Sequence, residues 1–223
     1  MKKRFRENGL TIVVSLLFLA SLVGQTITGF ISYNDEQEDH QQPTISIVEY
    51  LGTGHFIEAV FENWESEFLQ MGVFVMLTSF LRQKGSPESK KMEGKEDVDA
   101  DPREPKEKNR KGAPWPVLKG GTILKLYEYS LSLTLFALFI ICVALHAYGG
   151  AREYSADQIL HGGQAVSTFE YLTTSQMWFE SFQNWQSEFL SIGVLIVLSI
   201  FLRHKGSPES KPVAHPHFET GRE

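Results

Sequence analysis

Apolar residues are concentrated in four runs along the chain, and the charged residues lie between these runs. Two runs, about 10–31 and 129–148, are long enough to cross the ~30 Å hydrocarbon core of a bilayer as helices rising about 1.5 Å per residue. Two others, about 64–82 and 185–203, reach that length only when the polar turn before each apolar run is included. The pattern predicts an all-α membrane protein with four transmembrane helices.

The two shorter runs begin and end with repeated strings. Asn-Trp-Glu-Ser-Glu-Phe-Leu at 63–69 returns 121 residues later with one change, and Lys-Gly-Ser-Pro-Glu-Ser-Lys at 84–90 returns unchanged at the same offset. Without gaps, Arg4–Lys90 aligns with Lys125–Lys211. Each copy contains two of the predicted helices, so the sequence predicts two tandem-duplicated hairpins that enter the membrane in the same orientation.

The alignment also predicts the domain organisation. The first apolar run begins like a secretory signal, but its aligned counterpart is internal, so we expect the run to be retained as a membrane helix. The segment between the copies is rich in charge, proline and glycine, a composition that is typical of disorder. The predicted parts are a first hairpin at 1–90, a disordered linker at 91–124, a second hairpin at 125–211 and a tail at 212–223.

The distribution of basic residues predicts the orientation. Residues 32–63 contain no Lys or Arg, and 149–184 contain only Arg152, whereas basic residues flank the linker. Cytoplasmic loops carry the excess of Lys and Arg, so we expect a cell-membrane protein with both termini in the cytoplasm. The formal net charge of −6 and the lack of a basic stripe argue against nucleic acid as a partner. The single cysteine, Cys142, excludes an intramolecular disulfide.

Several strings along the chain together resemble a known family. These are Arg-Glu-Asn-Gly-Leu at 6–10, Ser-Leu-Val-Gly-Gln at 21–25, the Phe-Glu-Asn-Trp and Phe-Gln-Asn-Trp strings at 61–69 and 182–190, and the two Lys-Gly-Ser-Pro-Glu-Ser-Lys strings. The chain resembles a family of uncharacterised bacterial integral membrane proteins, a domain of unknown function. The resemblance covers nearly the whole chain and implies the membrane architecture, but it implies no activity.

Polar residues inside the predicted helices are the candidate functional residues. Glu67 and Glu188 occupy equivalent positions near the outer edge of the membrane, and a retained ionisable group there is a functional hypothesis. At a similar depth on the neighbouring helices lie Gln25 in the first hairpin and His146 in the second. Each polar pair either ties two helices together at the interface or handles protons or ions.

Residues near the two predicted membrane surfaces have structural interpretations. Trp64 and Trp185 suit the outer aromatic belt. At the inner edge we expect two ion pairs worth about 0–1 kcal/mol each, Glu7 with Arg82 and Glu128 with Arg203. The repeated glycine-proline strings read as helix stops with a left-handed glycine, or as a docking site for a cytoplasmic partner.

A stripe of small residues on the first helix, Ala20, Gly24 and Thr28, allows another helix to approach closely. That helix is either the second helix of the same hairpin or a second copy of the chain. The lipid bilayer is the other expected partner.

No cofactor or metal site is predicted, because His40, His55 and His161 lack a tight ligand spacing and no catalytic motif is present. We expect a non-enzymatic structural or accessory membrane component. The alternative is a subunit of an oligomeric transporter or channel that uses Glu67 and Glu188.

Overall fold

The computed structural model describes residues 2–221 and the side chains of 6–221. Met1, Arg222 and Glu223, at the ends of the predicted first hairpin and tail, lie outside the described residues. All regular elements in the described part are helices, which confirms the all-α prediction. Nine α-helices are described there: α1 Lys2–Asp39, α2 Ile47–Tyr50, α3 Gly54–Thr78, α4 Pro105–Lys108, α5 Trp115–Lys119, α6 Gly121–Glu128, α7 Ser130–Leu160, α8 Thr168–Tyr171 and α9 Ser175–Phe201.

The long helices extend further than the apolar runs that predicted them. Helix α1 continues beyond residue 31 to Asp39, and α7 continues beyond 148 to Leu160. Because a helix satisfies its own backbone hydrogen bonds, polar side chains at its end do not stop it. The backbone of α1 leaves the helical region at Asn8, with φ −131° and ψ 18°, so the regular helix starts close to the predicted position.

Helices α3 and α9 begin well before the repeated tryptophan strings. A threonine sets each start: Oγ1 of Thr53 accepts the backbone N–H of Phe56 at 3.2 Å, and Oγ1 of Thr174 accepts that of Met177 at 3.3 Å. This is the capping bond that orphan N–H groups at a helix start require. The helices therefore extend about three turns before the predicted membrane spans at 64–82 and 185–203, and the bounds of the spans stay predictions.

Three helices in the described part are long and apolar enough to cross a membrane, which indicates a membrane protein. They are Arg6–Asp39, Ser130–Leu160 and Ser175–Phe201. Helix α3 is not among them, since its first half carries Glu58, Glu62, Glu65 and Glu67. Four spans were predicted, and neither the fourth span nor the tandem duplication is confirmed.

The chain forms two compact units, Met1–Phe61 with Ala144–Met177, and Glu62–Val143 with Trp178–Glu223. The core of the first unit is built around two tyrosines, Tyr50 at the end of α2 and Tyr171 at the end of α8, both buried. Gly29 and Gly150 pack so closely against these rings that a Cβ atom at either glycine would overlap the tyrosine. The sequence therefore needs glycine opposite each tyrosine.

The short helices that carry these tyrosines start with the same capping box. The hydroxyls of Ser46 and Ser167 accept the backbone N–H groups of Glu49 and Glu170, and each glutamate accepts the N–H of its serine. Such reciprocal bonds satisfy the orphan donors of a helix too short to stabilise itself.

In the second unit the two glycine-proline strings fold in the same way. The backbone N–H of Gln83 donates to Oγ of Ser89 at 2.9 Å, and that of His204 donates to Oγ of Ser210 at 2.9 Å. Gly85 and Gly206 have φ values of +86° and +88°, so the predicted left-handed glycines are confirmed. They do not cap the helices, because α3 and α9 end at Thr78 and Phe201.

The predicted linker and tail contain ordered hydrogen bonds in the structure. Nζ of Lys90 lies 2.7 Å from Oδ1 of Asp99. Nζ of Lys211 donates to the carbonyl oxygens of Pro216, His217 and Glu219, at 3.3, 2.9 and 3.1 Å. The domain boundaries, including disorder at 91–124, stay predictions.

Large apolar side chains cover the outside of the long helices. On α1 alone, Leu10 is 81% exposed, and Leu16, Leu17 and Val23 are each more than half exposed. A water-soluble protein seldom exposes so continuous an apolar surface, since burying it is the main driving force of folding. Lipid is the solvent that this surface suits.

Candidate functional site

The predicted intramembrane carboxylates, Glu67 and Glu188, lie at the surface of the second unit. Glu67 on α3 is exposed and Glu188 on α9 is partly buried. They are close enough for the two carboxylates to repel each other electrostatically. Their predicted partners, Gln25 and His146, belong to the first unit, and the pairings of Gln25 with Glu67 and of His146 with Glu188 stay predictions.

The carboxylate that α3 buries in this unit is Glu65. Its exposed fraction is 0%, and its Oε1 accepts the hydroxyl of Ser181 at 2.8 Å; Ser181 is itself 1% exposed. The thiol of Cys142 on α7, also buried, is within the electrostatic influence of Glu65. A carboxylate in such a place requires strong hydrogen bonds, because burial otherwise disfavours its charge.

Sequence reasoning missed Glu65 although a signal was present. Gly72 lies two turns further along α3 on the same face, and a Cβ atom on Gly72 would come within 3.3 Å of the Phe136 ring. A glycine seven residues after a polar residue marks the face along which two helices approach closely. Glu67 is rotated by about 200° from Glu65 around the helix, at 100° per residue, and is therefore exposed.

The second buried polar cluster lies in the first unit and consists of Glu58, His146 and Tyr171. The hydroxyl of Tyr171 donates to Oε1 of Glu58 at 2.9 Å. A carboxylate oxygen of Glu58 lies within 4.8 Å of an imidazole nitrogen of His146. His146 and Tyr171 are both fully buried, with their ring centroids 6.5 Å apart. We call these three residues the Glu58 cluster.

An equivalent arrangement surrounds the other core tyrosine. Oη of Tyr50 lies 3.0 Å from Nδ1 of His55. The backbone N–H of His55 donates in turn to the carboxylate of Glu153 on α7. Burial, the negative charge of Glu153 and the nearby Tyr33 hydroxyl together raise the pKa of Tyr50 above its ordinary value of 10.0. Tyr50 is therefore a neutral hydrogen-bonding group at physiological pH.

Chemically, the Glu58 cluster combines a carboxylate, an imidazole and a phenol, which exchange protons readily. Gln25, which the sequence placed at the depth of Glu67, donates through Nε2 to the carbonyl oxygen of Ala59 at 3.3 Å. That bond joins α1 to α3, as expected for a residue that holds two helices together. Nδ1 of His161, one of the three histidines considered as metal ligands, lies 3.2 Å from Oδ1 of Asp157.

Of the two predicted inner ion pairs, the pair of Glu128 with Arg203 has different partners in the structure. Glu128 lies 2.8 Å from Nη2 of Arg103, whereas Arg203 was predicted. Arg203 instead donates to backbone carbonyl oxygens, those of Ser199, Ile200, Leu202 and His215. The terminal carbonyls of α9 have no partner within the helix, so a nearby guanidinium satisfies them. Glu7 and Arg82 belong to different units, and their pairing stays a prediction.

The two predicted interface tryptophans are both partly buried. Trp185 packs edge-on against Phe139, Phe182 and Trp178, with centroids 6.2, 5.4 and 6.3 Å away. Its indole Nε1 is buried and has no hydrogen-bond partner in the described part of the chain. An interfacial tryptophan normally keeps this N–H in contact with water or headgroups, so Trp185 is a packing residue in this structure.

The family comparison covers nearly the whole chain. The family described as Domain of unknown function (DUF6766) matches residues 1–222. Neither the curated proteins nor the solved structures yield a match. The match gives no activity, so the function has to be inferred from the residues themselves.

Proposed function

Because the chain belongs to the DUF6766 family, whose description assigns no activity, we propose a function from the surface and the buried groups. The chain is a four-span integral membrane protein of two tandem-duplicated hairpins, with both termini in the cytoplasm. It acts as a non-enzymatic structural or accessory component of the cell membrane. The observation that carries this proposal is the bonding of two carboxylates to buried hydroxyl-bearing residues of the same chain, the partly buried Glu58 to Tyr171 and the buried Glu65 to Ser181.

Helix α3 is the fourth span in this proposal. Its mean hydropathy is lowered by acidic residues, but Glu65 and the adjacent Ser66 are buried within the second unit and would not meet lipid. Insertion into the bilayer depends on the surface that faces hydrocarbon. Polar groups that are hydrogen-bonded inside a helix bundle raise the free energy of insertion far less than polar groups that face lipid.

Matched local structure supports the proposed duplication. The capping boxes at Ser46 and Ser167 and the buried tyrosines at 50 and 171 are all separated by 121 residues. The serine-closed turns at Gln83 and His204 have the same separation. Unrelated segments seldom share both sequence and hydrogen bonding at one constant offset.

Reporter fusions test the topology. A reporter inserted in the loops at 40–46 and 161–167 should be active only outside the cytoplasm, and a reporter in the 91–124 linker only inside. A reporter at 161–167 that is active in the cytoplasm would contradict the duplicated orientation. Alkaline extraction of membranes is the control that separates integral proteins from adsorbed ones.

A second candidate function is a subunit of an oligomeric transporter or channel. The observation that favours it is the exposure of Glu67 beside the partly buried Glu188, where the apolar halves of α3 and α9 begin, because an exposed carboxylate favours a polar lining over lipid. Proton or cation flux into liposomes, lost in Glu67→Gln with Glu188→Gln, would establish this function. A strictly monomeric protein without flux would remove it.

A further inference from the structure

A cavity of about 230 Å³ lies at the C-terminal end of α3, within the second unit. One part of the lining is apolar, with Phe74 and Leu77 from α3, Leu81 just after it and Ile196 from α9. The other part is polar and comes from the loop that follows α3, with Arg82, Gln83, Ser86, Glu88 and Ser89. A cavity with one wall of each kind suits an amphipathic ligand.

Arg82 is the residue in this cavity with unused hydrogen-bonding capacity. Its Nε donates to the carbonyl oxygen of Lys91 at 3.0 Å, and within residues 6–221 its two terminal nitrogens have no protein partner. At the equivalent position of the second copy, both terminal nitrogens of Arg203 donate to backbone carbonyl oxygens. A guanidinium with two free N–H donors side by side matches two oxygens of a phosphate.

The charge around the cavity fits an anion. Between residues 82 and 91 the chain carries Arg82, Lys84, Lys90 and Lys91 against Glu88, and two later acids, Glu96 and Asp99, lie close to this cluster, so four basic residues face three acidic ones. Lys90 is engaged by Asp99, but Lys84 and Lys91 are exposed. Basic clusters of this kind next to a membrane helix attract anionic headgroups by about 1 kcal/mol per residue.

The size of the cavity decides between ligand classes. Pockets that enclose a complete small molecule hold roughly 300–1,000 Å³, and this one is smaller. It therefore suits one part of a molecule whose remainder lies outside. The apolar wall continues onto Phe80 and Leu81, which are 56% and 55% exposed on the outside of the unit. A lipid is such a ligand, because the rest of its acyl chains would contact this exposed apolar surface.

We propose that this cavity binds an anionic glycerophospholipid, with its phosphate on Arg82 and the first part of an acyl chain against Phe74, Leu77 and Ile196. The proposal rests on the membrane location proposed above. It gives the repeated glycine-proline string of the first hairpin a role that the second copy lacks, because the second copy has no free guanidinium. A lipid held there would fix the end of α3 relative to the loop that follows it.

Lipid binding to the purified full-length protein in detergent tests the proposal. Native mass spectrometry with added phosphatidylglycerol or phosphatidylcholine gives an affinity for each lipid. Arg82→Gln should weaken phosphatidylglycerol binding about tenfold and phosphatidylcholine binding by less, since both lipids present a phosphate to Arg82 but only phosphatidylglycerol has a net negative charge. Lys205→Gln makes the same change of charge in the second string and should change neither affinity.

A second pair of variants tests the acyl-chain wall. Leu77→Trp fills the cavity and should weaken both lipids, while Leu198→Trp, at the equivalent position of the second copy, should weaken neither. Equal phosphatidylglycerol affinity in Arg82→Gln and Lys205→Gln would overturn the proposal, as would displacement of the lipid by inorganic phosphate alone. Thermal unfolding of each variant shows that it is folded. Release from membranes by alkali would instead disprove the proposed membrane function.

Discussion

Removal of the Tyr171 hydroxyl tests the Glu58 cluster most directly. In Tyr171→Phe the ring and its packing against Gly150 remain, and the 2.9 Å bond from the hydroxyl to Glu58 is lost. Because Tyr171 is fully buried, no water replaces the hydroxyl easily. A hydrogen bond to a charged group contributes about 1.5–3 kcal/mol, so we expect a loss of about 2 kcal/mol of stability.

Tyr50→Phe is the matched control, since Tyr50 is equally buried and packs against Gly29 in the same way. Its hydroxyl lies 3.0 Å from Nδ1 of His55 and not from a carboxylate oxygen, and a typical hydrogen bond contributes about 0.5–1.5 kcal/mol. The free energy of unfolding, measured by titrating denaturing detergent into mixed micelles, should fall about twice as far for Tyr171→Phe. Equal losses would refute the reasoning that Glu58 is charged and depends on this bond.

A double-mutant cycle isolates the bond itself. Glu58→Gln removes the charge and keeps an acceptor, so the effect of Tyr171→Phe should become smaller in that background. The expected coupling energy is about 1 kcal/mol. A coupling near zero would mean that Tyr171 acts through packing alone and that the cluster is not a hydrogen-bonded unit.

Three further predictions follow from single contacts. Ser181→Ala removes the hydroxyl donor of a fully buried carboxylate and should cost about 1.5–3 kcal/mol, whereas Ser187→Ala, on an exposed face, should cost almost nothing in the same unfolding assay. The hydrogen bonds of the capping serine lower the pKa of Glu170, so the cap is stabilised above the ordinary value of 4.5 and loses that stabilisation as pH falls through the lowered pKa. Hydrogen exchange of 167–171 should therefore speed up in acid, but be independent of pH in this range in Glu170→Gln after correction for intrinsic rates. Gly24→Leu should abolish self-association measured by cross-linking and Gly193→Leu should not, although both glycines have open space at Cβ.

The elements of this fold were predictable wherever a local rule decides. Apolar runs longer than a bilayer is thick can only be helices, which located α1 and α7. A serine followed three residues later by a glutamate is the sequence form of a capping box, and it precedes both buried tyrosines. The first turns of α3 follow a local rule too, because the apolar residues from Ile57 to Phe68 recur at the helical spacing of three and four.

The candidate site was harder to predict because it depends on rotation around a helix. Glu65 and Glu67 differ in the side of α3 that they occupy, whereas the sequence argument compared residues by depth along the chain, and depth favoured Glu67. The charged pair of Glu128 shows the same limit. Depth along the chain does not choose among the arginines that could reach Glu128. The arginine that does pair with it, Arg103, is in the linker segment, whose composition gives no prediction of where its residues lie.

The proposed duplication separates positions that build the frame from positions that can carry function. Serine caps, buried tyrosines and their facing glycines agree between the copies, so they are sufficiently explained by folding. The buried polar groups do not agree: Glu58 corresponds to the exposed Phe179, and Glu65 corresponds to the exposed Gln186. A two-hairpin frame needs no buried carboxylate at either position, since the second copy folds without one. Glu58 and Glu65 are therefore additions to the frame, and the variants at Glu58 and Ser181 address the part of the molecule in which a specific role is to be sought.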